Sequence, residues 1–105
     1  MQVEVIIGHL TFPTKEAAIS HFRAILYRDN LDTAIEGDDA KSVEALLRAR
    51  VDKVAELEGR TVVRYLRKMH RHNTPCFFAE LDDGTLLDVS FMKLINAYPR
   101  ATLAT

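Results

Sequence analysis

The sequence predicts an α+β fold, in which an antiparallel sheet of three to four strands carries helices packed on one face. Three observations lead there. Residues 14–28 place apolar side chains at helical spacing, residues 61–89 hold runs rich in β-branched and aromatic residues, and Asp82-Asp83-Gly84 stands between two of those runs as a hairpin turn. An antiparallel meander of such runs with helices packed on one face is an α+β layer arrangement.

Residues 3–7 read as a strand, because Val3, Val5 and Ile7 alternate with Glu4 and Ile6. Gly8 lets that strand bend towards Phe12. Pro13 breaks the chain and Thr14 opens a helix, its hydroxyl accepting a backbone N–H that would otherwise go unpaired. Ala18, Ile19, Phe22, Ile25 and Leu26 make one buried stripe, with Glu16 suited to the positive end of the helix and Asp29-Asn30 ending it. After a polar stretch to Gly37, Asp38 or Asp39 caps a second helix whose apolar face is Val43, Leu46, Leu47 and Val51. Residues 51–58 fit either a prolonged helix stopped by Gly59 or a turn, and periodicity does not choose between them.

Residues 61–69, 76–81 and 85–89 then form an antiparallel meander. Ser90 caps a short helix through Ala97, with Phe91, Leu94 and Ile95 facing inward and Pro99 beyond its end. The order is β-α-α-β-β-β-α, the first strand joining an edge of the sheet and residues 100–105 fraying.

The 105 residues fit one domain, ordered from about residue 2 to residue 98, with 48% apolar and 28% charged residues in a globular balance. No apolar run approaches the ~20 residues of a membrane-spanning helix. The N-terminus lacks the basic and apolar regions of a signal peptide, and the single cysteine, Cys76, permits no internal disulfide. The sequence therefore predicts a cytoplasmic protein with no membrane partner.

Net charge is −1, yet charge is segregated. Arg60, Arg64, Arg67, Lys68 and Arg71 fall within residues 60–72 without a carboxylate, while Asp29, Asp32, Glu36, Asp38, Asp39 and Glu44 fall within residues 29–44 beside Lys41 alone. A local positive field attracts phosphate whatever the net charge. The plainer alternative is that the two segments face each other or are solvated surface.

Two blocks carry a resemblance. Phe12-Pro-Thr-Lys15 followed by Phe22, Ile25 and Leu26, and downstream Asp83-Gly84 with Asp88, Ser90, Phe91 and Lys93, resemble the DCL-like domain, a small family named after the plant "defective chloroplasts and leaves" protein. Val89 stands where that family has phenylalanine and Leu94 where it has cysteine. The resemblance implies a role linked to ribosomal RNA maturation, with Lys15 and Lys93 contributing to contact with RNA, and implies no chemistry.

The first candidate site is the basic strand. Simple alternation puts Arg60, Arg64, Lys68, His70 and His72 on one face with Val62 and Leu66, and Val63, Tyr65, Arg67 and Met69 on the other. A bulge would instead gather Arg64, Arg67, Lys68 and Arg71 along one edge, with Tyr65 as a stacking ring for single-stranded RNA. On that reading an Arg67→Ala/Lys68→Ala protein binds RNA less well without unfolding. A second candidate, a zinc site from His70, His72 and Cys76 with His9 or Asp88, shows only half of the usual paired ligand pattern, and loop histidines beside a buried thiol explain those residues better. A third, Asp88 with Ser90 and Lys93, lacks a nucleophile elbow or oxyanion hole, and helix capping accounts for the serine. His21 has no carboxylate or nucleophile to serve and reads as a histidine at the edge of the core. The sequence thus points to a non-catalytic RNA-associated binding module with no cofactor, metal or evident small-molecule substrate. The alternative is a protein-interaction module that uses the acidic segment 29–44 or an edge strand.

Overall fold

The structure, a computed structural model, describes residues 4–70 and 73–97. In chain order its elements are β1 (Val5–Ile7), β2 (Leu10–Phe12), α1 (Lys15–Tyr27), β3 (Ala34–Ile35), α2 (Gly37–Ala49), α3 (Val51–Leu57), β4 (Val62–Met69), β5 (Pro75–Leu81), β6 (Leu86–Val89) and α4 (Phe91–Ala97). The α+β class and the antiparallel meander are as expected. Val3, Arg71, His72 and the residues expected to fray lie outside the described residues.

The first strand departs from expectation. It pairs with β2, Val5 opposite Phe12, in a two-stranded hairpin of its own. Gly8 makes this possible, with φ +61° at the first position of a two-residue turn, where a glycine is favoured. The turn is also tight against α2, since a Cβ on Gly8 would sit 2.9 Å from the Ala45 Cβ. The edge of the main sheet is taken instead by the two-residue β3, and the order is β3-β4-β5-β6, all antiparallel.

Thr14 caps α1 as its chemistry suggests, Oγ1 accepting from the Ala17 N–H at 3.1 Å. The N-cap of α2 is Glu36 rather than Asp38 or Asp39. Both aspartates fall in the first turn, where their charge still suits the positive end of the helix. Residues 51–57 are helical. They are set off from α2 by Arg50, whose extended backbone (φ −93°, ψ 93°) closes one helix and opens the next. Glu58 in the left-handed region and Gly59 then stop α3.

Alternation along β4 is interrupted once. Val62 pairs with Leu81 and Arg64 with Glu80, so Val63 is a bulged extra residue, 59% exposed. Beyond it Tyr65 and Arg67 face the helices together with Phe77, Ala79 and Leu81 of β5 and Leu87 and Val89 of β6. Arg64, Leu66 and Lys68 share the opposite face with Cys76, Phe78, Glu80 and Asp88. The core closes around Phe22 of α1, whose ring meets Phe77 at 6.4 Å, Phe91 at 5.9 Å and Phe12 at 6.1 Å. Phe91 and Ile95 of α4 are buried as expected, whereas Leu94 is only partly so.

Candidate functional site

The basic segment does not form a free cationic stripe. Arg60 lies just before β4 and curls back on the hairpin, its guanidinium reaching Asp83 at 2.9 Å, Glu58 at 3.4 Å and the Leu57 and Glu56 carbonyls. Arg64 pairs with Glu80 across the sheet at 2.9 Å, and Lys68 with Asp32 at 2.6 Å. Arg67 points inward and is 3% exposed, donating from Nε to the Ile25 carbonyl and from Nη1 to Thr33 and Ala34. Tyr65 is likewise buried, and burial pushes its hydroxyl up to about 12. The bulge precedes these residues and leaves the rest of the strand alternating, so it does not gather Arg67 with Arg64 and Lys68. Neither Arg67 nor Tyr65 is placed to meet a nucleic acid, and Arg71 lies outside the described residues. Among the acidic residues of 29–44, Asp32 reaches the basic strand, whereas Asp39 pairs with Arg28 at 2.7 Å.

A different region gathers three cations and leaves two of them, Arg23 and Lys93, without an acid partner among the described residues. A cleft of about 520 Å3 opens where β4 ends, β5 begins and β6 runs into α4, with the second half of α1 as its other wall. Arg23 and Tyr27 come from α1, Arg50 from the α2–α3 break, Cys76 from β5, and Asp88, Ser90 and Lys93 from the β6–α4 passage. Phe77 and Val89, both buried, tie the cleft to the core. Three cationic side chains line it against one carboxylate, Asp88.

That carboxylate is already engaged. The ammonium of Lys53, a residue 9% exposed, lies 3.1 Å from Asp88 Oδ1, and His70 Nε2 lies 3.6 Å from Oδ2. Burial alone would raise the Asp88 pKa, but the hydrogen bond and charge of Lys53 outweigh it and hold the carboxyl below its usual range. Arg50 is 8% exposed. Its Nε and Nη2 bind Asp52 at 3.2 and 2.8 Å, and its Nη1 donates to the Ser90 carbonyl at 3.1 Å, fixing the start of α4. Arg23 and Lys93 are exposed and have no acid partner among the described residues.

The remaining candidates disperse. Lys15, the first residue of α1, and His9, in the β1–β2 turn, are not among the residues that line the cleft. Among the described residues no group of three or more His, Cys, Asp or Glu is assembled as a metal would need, and His72 lies outside them. Burial, then the nearby Asp88 carboxylate, pushes the Cys76 thiol up, so it is not an activated thiolate at neutral pH. His21 sits between Phe12 and Phe22 and shares a 3.1 Å hydrogen bond with Ser42 on α2, a position at the edge of the core. Of the two motif blocks, Phe12, Phe22, Ile25, Leu26 and Phe91 pack in the core and Asp83-Gly84 turns the hairpin, while Asp88, Ser90 and Lys93 reach the cleft.

Sequence reasoning missed Arg23, Tyr27, Arg50 and Lys53. Arg23 and Tyr27 lie one turn apart on the flank of an otherwise well-read helix, a spacing that could have paired them. Arg50 and Lys53 gave no signal, because a buried cation looks the same in sequence as an exposed one.

The model of a family described as "Protein of unknown function (DUF3223)" matches residues 23–95. The chain belongs to that family. This corrects the DCL-like resemblance, which rested on two short blocks. The match is to the family of unknown function, and its span begins at Arg23, beyond Phe12, Lys15 and Phe22. The DUF3223 match does cover all the cleft-lining residues, from Arg23 to Lys93. The solution NMR structure of an uncharacterized protein from Rhodospirillum rubrum is similar, with a TM-score of 0.78 and 19% identity over 95% of this chain and 94% of that one. At that identity the likeness shows the fold. No curated protein matches the chain. Among the described residues no helix is long and apolar enough to cross a membrane.

Proposed function

We propose that this protein is a non-catalytic RNA-associated binding module whose contact site is the cleft between α1 and the β6–α4 passage. The observation that carries this reading is the contrast between two sets of cations. Arg60, Arg64 and Lys68 are each paired with an acid, and Arg67 is buried. Arg23 and Lys93 line one cleft together and have no acid partner among the described residues. Tyr27, 61% exposed, adds an aromatic ring to the same rim. A ring beside unpaired Arg and Lys is the combination that lets a base stack while its phosphate is neutralised.

The test is fluorescence anisotropy with labelled single-stranded RNA, duplex RNA and DNA at ~50 and ~200 mM salt, across which phosphate binding weakens steeply. Binding with a strong salt slope is expected for the native chain. It should be lost in the Arg23→Ala/Lys93→Ala protein and kept in Arg64→Ala/Lys68→Ala. Absence of RNA binding at the lower salt refutes the reading.

A second reading has its own support. Ala34, Leu66 and Phe78 lie in register across β3, β4 and β5 on the face away from the helices, with Leu86 of β6 42% exposed nearby. That apolar row would suit a protein partner, and a co-purifying protein released by Phe78→Glu would favour it.

A further inference from the structure

We infer that the cleft recognises a phosphorylated end of an RNA strand, holding one nucleotide with a terminal phosphate rather than tracking along the backbone. This rests on the RNA reading above and narrows it to a chemical group. Size is the first argument. At about 520 Å3 the cleft lies within the ~300–1,000 Å3 span of small-molecule sites, room for a single nucleotide unit rather than a run of them.

The second argument is charge. A terminal phosphate monoester carries about −1.5 to −2 charges at neutral pH, where a backbone diester carries one. Its extra charge is useful only where more than one cation is unspent. The lone acid of the lining, Asp88, is held by Lys53, so it leaves Arg23 and Lys93 unopposed across the cleft. Asp52 neutralises the Arg50 charge but not its donors. Three of the five guanidinium N–H groups are used by Asp52 and Ser90, and two have no acceptor among the described residues. Donors on a buried arginine held by a bidentate ion pair suit the oxygens of a phosphate, since their orientation is set before the ligand arrives.

The third argument is Tyr27. Its ring stands on the rim one helical turn beyond Arg23, so a base attached to a phosphate at Arg23 and Lys93 can stack on it. An isolated phosphate gains nothing from that ring.

The experiment uses the full chain and a labelled ~10-nucleotide RNA in three forms, with a 5′-phosphate, with a 3′-phosphate and with hydroxyls at both ends. One phosphorylated form should bind at least about tenfold more tightly than the hydroxyl form, and the comparison identifies which end is read. Nucleoside monophosphate should displace it, with unmodified nucleoside ineffective and inorganic phosphate weaker. In Tyr27→Leu the advantage of the monophosphate over inorganic phosphate should vanish. Arg23→Ala and Lys93→Ala, both at exposed positions, should remove the preference for the phosphorylated end while the circular dichroism spectrum stays native. RNA that binds equally in all three forms, yet still depends on Arg23 and Lys93, overturns this inference and leaves the RNA reading standing. Monophosphate that binds at Arg23 and Lys93 while no RNA form binds refutes the RNA reading and overturns this inference with it, leaving a site for a free nucleotide. Monophosphate with no affinity at ~50 mM salt, where phosphate contacts are strongest, also overturns it.

Discussion

The Arg67 side chain donates from Nε to the main-chain oxygen of Ile25 at 2.9 Å, joining the middle of β4 to the last turn of α1. That turn contains no basic residue of its own. A cation supplied from the sheet therefore meets the negative end of the helix, and the same guanidinium holds Thr33 and Ala34 at the edge strand. Arg67 is a structural clasp, which changes what its replacement is expected to do.

Arg67→Met should destabilise the fold by about 3 kcal/mol, since it removes a charged donor from three buried or half-buried acceptors at once. Arg64→Ala, which breaks an exposed pair with Glu80, should cost less than about 1 kcal/mol. Urea titrations of the two proteins measure the difference. The Arg67→Ala/Lys68→Ala change, read from sequence as a binding mutation, becomes a folding mutation.

Alkaline pH should destabilise the protein through Tyr65. Its hydroxyl is pushed up to about 12 by burial, with Glu44 adding to the shift, against 10.0 for an unfolded tyrosine. Between those values the unfolded chain has lost a proton that the folded chain keeps, so stability falls as pH rises, by up to about 2 kcal/mol. Tyr65→Phe should flatten that part of the profile in thermal melts between pH 9 and 12.

On the acid side His21 acts in the opposite sense. Burial lowers its pKa from 6.5, with Asp39 pulling it back and Arg28 adding to the lowering. The unfolded chain then takes up the proton first, and stability is lost as pH falls below about 6.5. His21→Gln should remove this slope, and equal slopes in the two proteins would show that the histidine is not its source.

Two glycines with positive φ should respond differently to alanine. At Gly84, with φ +88° and open space around it, the cost is backbone strain of about 1 kcal/mol. At Gly8 the same strain is joined by a Cβ only 2.9 Å from the Ala45 Cβ, and the β1–β2 hairpin must move off α2. Gly8→Ala should therefore lower the melting temperature well beyond Gly84→Ala.

Local chemistry made much of the fold legible. Thr14 announced its cap, Phe22 and Ile25 their buried stripe, and Asp82-Asp83-Gly84 its hairpin. What eluded sequence was decided by tertiary choices. β3 is two residues long and exists because Ala34 and Ile35 pair with Leu66 and Tyr65. The break at Arg50 depends on a bond to Ser90, forty residues away. For the candidate site the difficulty was sharper, because a positive charge in sequence carries no label for whether an acid will meet it. Arg64 and Lys68 are neutralised by residues 16 and 36 positions distant. Arg23 and Lys93, 70 positions apart in the sequence, meet at one cleft with no acid partner among the described residues.

The bulge at Val63 has a consequence for how length can vary in relatives of this chain. A chain without Val63 would pair Val62 with Leu81 and Arg64 with Glu80 through an unbroken ladder, every later side chain keeping its face. Loss of Tyr65 or Leu66 would instead carry Arg67 out to solvent and draw Lys68 into the core. The strand thus has one expendable position and several that no deletion can spare. A gap at Val63 in an alignment marks a change of curvature, while a gap two residues later marks a different protein interior.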